Sequence, residues 1–352
     1  MSAMSVPVLV NRFRDDPSLR FVMSLVAAFA VFGLILLALG KDPLQAYIAI
    51  FRGSLADSYG WTEILVKVVP FILCALAAAV PAQLGLINVG GEGQFQMGAL
   101  VATAAALTLG GLPAFALLPI LLLAGAVGGA AWGGIAGALR AGPGLNETIA
   151  TLLMNYIAIR IVDHYTHGPL KDPASFNWPY SPPFVDAARL PTFGDSRANV
   201  GFVLAILAVG ALFVLLTRTR WGHCMRVIGG NPEAARRSGI SLGRYFFVGM
   251  LLGGAAAGLA GVIEVSAIHG RLQPGIGVGY GYIGFLASWL AGGRPLAILP
   301  MAALLAVISV GGEVLQISVN VPGSTVNILM ALILFWVLGT RTLQAARGTG
   351  RA

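Results

Sequence analysis

The chain has 352 residues, of which 57% are hydrophobic and only 10% charged, with a mean hydropathy of +0.84 and a formal net charge of +8. Those totals exclude an ordinary soluble domain and describe a polytopic membrane protein. The 22 Lys and Arg residues stand in short clusters between apolar runs instead of lining one face, so the positive balance reads as topogenic charge and not as a nucleic-acid surface.

In chain order, a polar, Arg-bearing segment (residues 1–20, with Arg12, Arg14 and Arg20) precedes a first apolar run from Phe21 to Gly40, which is long enough to span and lacks a convincing cleavage site. Residues 42–60 alternate apolar and polar and are expected on the outer surface, as a membrane-parallel helix or a plain loop. A second span covers Trp61 to Pro81, with Pro70 able to kink it. Cys74 lies inside this span and Cys224 in a polar stretch far downstream, so free thiols are expected.

Gln83 to Ala99, QLGLINVGGEGQFQMGA, interleaves Asn88, Glu92, Gln94 and Gln96 with glycines and carries no Lys or Arg. A cytoplasmic loop would be expected to carry positive charge, so two readings stand. One is a broken helix dipping into a water-lined cavity; the other is a Gly-rich turn at the surface. Spans three and four follow near 94–109 and 115–139, the fourth with Gly129, Gly133 and Gly137 at a spacing that allows close helix approach. After the Gly142-Pro143-Gly144 break, Asn146 can cap the fifth span and Glu147 sits in its first turn, while Asn155 and Tyr156 fall near its middle. An Asn at that depth either bonds a neighbouring helix or faces a pathway.

Six prolines between residues 163 and 198 prevent a spanning helix and mark the one sizeable outer loop, which either covers helix ends or receives a partner. Span six, 200–216, leads into the basic stretch Trp221 to Arg244, part of a polar loop at 218–244. Within it Asn231 can cap, Pro232 suits the first helical position, Glu233 faces the positive dipole end and Gly239 ends the run. Span seven, 245–267, is again rich in glycine. The apolar piece Tyr282 to Ala291 is short for a crossing, and spans nine and ten are placed at 296–315 and 324–338, before a basic tail at 341–352 with Arg341, Arg347 and Arg351. The fold expected is therefore all-α, with about ten transmembrane helices, some broken or short, and with both termini cytoplasmic. That topology puts about fourteen of the basic residues inside and about eight outside.

No G-x-x-x-x-G-K-[ST] phosphate loop is present, so ATP hydrolysis is not expected in this chain. The four histidines are scattered and give no metal-ligand pattern; no metal and no cofactor are expected to bind here. An ion-coupled transporter working alone stays open, because Glu92, Glu264 and Glu313 are candidates for membrane depth.

GLINVGGEGQFQMGA, GLNETIATLLMNYIA and MRVIGGNPEAARRSGI together resemble the inner-membrane permeases of ABC importers for ribose, branched-chain amino acids and nucleosides, nearest to the nucleoside or simple-sugar type, over about residues 20 to 340. One departure is Leu145, where a His or similarly polar residue is expected before the first-turn acid. The resemblance implies a permease domain (21–340) of the bacterial cytoplasmic membrane that moves a nucleoside or similar polar solute. Its implied partners are cytoplasmic ATPases that bind ATP and Mg, a second permease, an external solute-binding protein and membrane lipid. It also assigns residues. Asn231, Pro232, Glu233, Ala234 and Ala235 would dock on the ATPase, with Arg226, Arg236 and Arg237 pairing to its acids. Asn88, Glu92, Gln94, Asn155, Tyr156 and Trp289, the last as an aromatic able to stack on a base, would line the substrate pathway.

Overall fold

A computed structural model describes residues 17–318 and 321–349, with side chains described at 19–318 and 321–340. The expectations on residues 1–16 and on the arginines of the tail lie outside these. The regular structure of the described residues is helical with no strand, a lone bridge between Thr192 and Asn199 excepted. Thirteen α-helices are formed: α1 Pro17–Ala38, α2 Pro43–Leu55, α3 Ser58–Ala82, α4 Gly91–Thr108, α5 Ala114–Ala141, α6 Glu147–His167, α7 Gly201–Arg218, α8 Arg220–Gly230, α9 Pro232–Arg237, α10 Leu242–Ile263, α11 Tyr280–Leu290, α12 Pro295–Ser318 and α13 Ser324–Thr349. Six of them are long and apolar enough to cross a membrane: α1, α3, α5, α7, α10 with its π-helical extension to His269, and α12.

The chain divides into two units. One comprises residues up to Gly60 together with those from Val307 onward. There α13 packs along α1, and α2 is the helical alternative of the two expected for residues 42–60. Asp42 caps it by accepting from the N–H groups of Leu44 and Gln45, Pro43 takes its first position, and Ala46, Ile50 and Ser54 bury one side at four-residue spacing.

The second unit, Trp61–Ala306, is held by a glycine seam. Helices α5 and α10 pack along their length, and α4 packs on both. A methyl group on Gly129 would sit 2.6 Å from the Gly258 Cα, and one on Gly133 would sit 2.6 Å from the Met250 carbonyl oxygen. The expected packing role of the glycine spacing is met, because the backbones themselves are in contact. Between apolar helices in lipid no hydrophobic force favours association, and this close approach supplies dispersion contact in its place.

Three details differ from the sequence expectation. The basic stretch is more ordered than a loop: α8 occupies Arg220–Gly230 ahead of the short capped helix, with Gly222, Met225 and Ile228 as its buried side. Residues 83–90 are non-helical between α3 and α4, with Leu84, Leu86 and Asn88 buried and Gly85 and Ile87 exposed; Glu92, Gln94 and Gln96, within α4, are buried. The piece at 282–291 is an eleven-residue helix that starts two residues earlier, and Gly279, with φ of +91°, supplies the left-handed turn that enters it.

Candidate functional site

The polar interior of the second unit is built on α4, which reaches out in two directions. Toward α6, it and the preceding extended segment are held by a ladder of side chains. Glu147, Thr151 and Asn155 lie four residues apart on α6, and in order they accept from the backbone N–H groups of Ile87 (3.1 Å), Val89 (3.3 Å) and Gly93 (2.8 Å). Between the first two rungs the spacing is a geometric match: four helical residues of α6 advance about 6 Å, and the two extended residues from Ile87 to Val89 advance about 6.6 Å. Those two rungs satisfy irregular backbone ahead of α4, and the third holds the first turn of α4 itself. The Asn155 amide also donates to the Val89 carbonyl at 2.9 Å and to the Tyr282 hydroxyl at 3.3 Å. Arg140 closes the outer rung with an ion pair to Glu147 at 3.3 Å.

Toward α11, Glu92 accepts from the N–H of Gly279 on one carboxyl oxygen and from Gly281 on the other, both at 2.9 Å. Gly279 has no side chain with which to cap α11, and Glu92 caps it from another helix, placing a carboxyl group at the positive end of the dipole. One turn along α4, the Gln96 amide donates to the Ile276 carbonyl at 2.7 Å. Gly281 meets α4 so closely that a methyl group on it would sit 2.5 Å from the Glu92 Cα. Inside the bend, Asn88 and Gln94 exchange two amide hydrogen bonds of 3.2 Å each, and Asn88 also donates to the Ala77 carbonyl of α3 at 2.9 Å.

Four of the six residues expected in a pathway are thus brought together: Asn88, Glu92, Gln94 and Asn155, each between 0% and 2% exposed. Their polar atoms bond to this chain. The Asn155 side chain bonds neighbouring helices, through the Gly93 N–H of α4 and the Tyr282 hydroxyl of α11. Tyr156 and Trp289 lie apart from this core at 62% and 38% exposure. Tyr282, Phe285 and Trp289 follow one side of α11, and Tyr282 meets the residue adjacent to Tyr156. Sequence reading missed Thr151 and Tyr282. The Glu-x-x-x-Thr-x-x-x-Asn spacing on α6 was visible, and only the facing segment from Ile87 to Gly93 gives it meaning.

At the basic stretch, the Asn231 side chain accepts from the Ala234 N–H at 3.0 Å, Pro232 opens α9, and Gly239 adopts φ of +79° just beyond it. Four of the residues expected to dock make contacts within the chain. Ala235 is fully buried in a cluster with Leu84, Leu86 and Met225, because it faces the core side of a helix too short to have two free faces. Arg236 and Arg237 pair with Glu233 of their own helix, at 3.0 and 3.2 Å. Arg226 donates to the Leu216 carbonyl. Ala234, Glu233 and both outer arginines remain exposed.

Residues 60–338 match the family model described as branched-chain amino acid transport system / permease component. A glucose ABC transporter permease protein of Haloferax volcanii is 37% identical over 337 residues, covering 93% of this chain and 88% of the relative. A guanosine ABC transporter permease protein of Bacillus subtilis is 28% identical, covering 93% and 94%, and a nucleoside ABC transporter permease protein of Lactococcus lactis is 28% identical, covering 90% and 89%. The chain belongs to this family of ABC importer permeases and is a multi-pass protein of the inner membrane.

Proposed function

We propose that the chain is one of two permease subunits of an importer that carries a nucleoside or simple sugar inward by alternating access, with ATP and Mg bound by partner ATPases and the solute delivered by an external binding protein. The observation that carries this reading is the short helix α9, capped by Asn231 and ended by Gly239, standing exposed between the spans α7 and α10. A six-residue helix joined by a short turn to α10 and through α8 to α7 would pass a push at its surface toward both spans. Ala234 and Glu233 would meet the ATPase, and Arg236 and Arg237 would exchange their Glu233 contact for acids of the partner.

The topology proposed is ten crossings with cytoplasmic termini, α4, α6, α11 and the apolar part of α13 joining the six longer spans. The outer loop (163–198) would receive the binding protein. In the pathway, Asn88, Glu92, Gln94 and Asn155 would form the frame, and Tyr156, Tyr282, Phe285 and Trp289 the lining toward the second permease. Ring faces with a hydroxyl suit both sugars and bases, which fits relatives named for glucose and for guanosine. The ion-coupled alternative draws less support, because Glu92 caps α11 and Glu264 pairs with His269 at 3.3 Å.

The test is uptake of labelled guanosine and glucose into vesicles containing the assembled complex. ATP-dependent uptake of either, with ATP hydrolysis uncoupled from uptake in Glu233→Ala or on shortening residues 231–239, is the expected result. Uptake by this chain alone that collapses with an ion gradient and ignores ATP would overturn it.

A further inference from the structure

A cavity of about 540 Å³ opens where α7 ends, α8 passes and α12 begins. Its walls are of two kinds. Phe213, Leu216 and Leu296 give an apolar side, and Gln83, Arg226 and Arg294 give a polar one. The apolar span of α7 ends at Arg218 and that of α12 begins at Pro295, so the cavity lies at one face of the membrane, level with the ends of two spans and beside the 220–241 segment.

Among the described lining residues none is acidic. Arg226 donates to the Leu216 carbonyl, a neutral acceptor, and Gln83 is turned to the Gly293 carbonyl at 3.0 Å. Neither arginine has a carboxylate partner among the described residues, and both are exposed. Two guanidinium groups on separate elements, set over an apolar wall at headgroup depth, have the chemistry of an anion carried on a hydrocarbon chain.

We propose that this cavity holds the headgroup of an anionic phospholipid, its phosphate between Arg226 and Arg294 and its acyl chain along Phe213, Leu216 and Leu296. The lipid would tie the end of α7 to the start of α12 next to the segment read as the energy input. Charge favours this occupant over a neutral lipid, and the apolar wall favours it over free phosphate.

The test uses the chain extracted in mild detergent with the subunits that accompany it, delipidated and titrated with phosphatidylglycerol, phosphatidylcholine or inorganic phosphate while bound species are counted by native mass spectrometry. Phosphatidylglycerol is expected to be retained over phosphatidylcholine by roughly fivefold for each arginine. The preference should shrink by about that factor in Arg294→Gln and vanish in the double variant with Arg226→Gln. Among the described residues Arg294 has no side-chain partner, so its replacement orphans none of them and serves if the double variant fails to fold. Arg218→Gln, outside the cavity, is the charge control and should leave the preference intact. Equal retention of the two lipids, an unchanged preference in Arg294→Gln, or phosphate competing at the same concentration as lipid would each overturn the proposal. So would release of the ATPase from Arg294→Gln with lipid binding unaltered, which would identify the occupant as an acidic side chain of the partner.

Discussion

The frame around α4 and the segment from Arg220 to Ile240 are both polar insertions in an apolar chain, and they handle polarity in opposite ways. In the frame, each of Asn88, Glu92, Gln94 and Asn155 is bonded to backbone or side chain across elements up to 189 residues apart. In the basic segment the polar side-chain bonds of α9 are local: Asn231 to Ala234, and Glu233 to Arg236 and Arg237, three or four residues away. Long-range bonds fix where helices lie relative to one another. Local bonds keep a small helix formed while leaving its outer surface open to a partner. A change in the frame should therefore cost structure, and a change in the segment should cost communication.

The largest effect is expected where the frame leans on the glycine seam. A side chain on Gly258 would run into the carbonyl oxygen of Gly125, and backbone cannot move aside as a side-chain tip can. Gly258→Val should abolish accumulation of folded protein in the membrane, read by size-exclusion of a fluorescent fusion. Near-normal accumulation would show that α5 and α10 can separate and that the seam is not what holds the unit together.

How much of this was legible beforehand follows from the range of the interactions. The seam was readable because Gly129, Gly133 and Gly137 repeat at helical spacing, and a periodic signal needs no knowledge of the partner. The α9 cap was readable for the same reason, since Asn231, Pro232 and Gly239 act on their own neighbours. The roles of Glu92 and Asn155 were not readable. Their residue types announced importance at membrane depth; Glu92 was expected in the pathway, and Asn155 was open to bonding a neighbouring helix or facing a pathway. Only the placement of Gly279, Gly281 and Gly93 against them turns that importance into capping and bracing. Helix α8 was missed because its apolar residues are few and its first residues read as polar punctuation, while tertiary burial of Met225 and Ile228 stabilises it.

A smaller effect is expected from Glu92. Glu92→Ala leaves the N–H groups of Gly279 and Gly281 without their acceptor, each worth about 1–3 kcal/mol when buried, with the lower end favoured in a membrane where the unfolded reference also finds partners. Glu92→Gln should fall between, because an amide offers one acceptor to two donors and turns its own N–H₂ toward the other. The thermal midpoint in detergent should therefore order as wild type, Gln, Ala. A Gln variant with full stability and lost uptake would place Glu92 in the pathway after all and erase the division between frame and lining.

The smallest structural effect is expected at Asn231, and it is the sharpest test of the contrast. Asn231→Ala removes the acceptor for the Ala234 N–H and costs about 1 kcal/mol locally. The helix is only six residues long and has one buried residue, Ala235, to hold it otherwise. Local loss on that scale is enough to fray α9 for much of the time without loosening the spans beside it. The thermal midpoint should thus stay close to that of the wild type while ATP hydrolysis continues without matched uptake, and Asn231→Asp, which keeps a capping oxygen, should restore the match. A midpoint that drops as far as in Glu92→Ala would mean that α9 is part of the frame; unchanged coupling in the Ala variant would mean that the push enters elsewhere on the segment, with Arg220–Gly230 the next place to look.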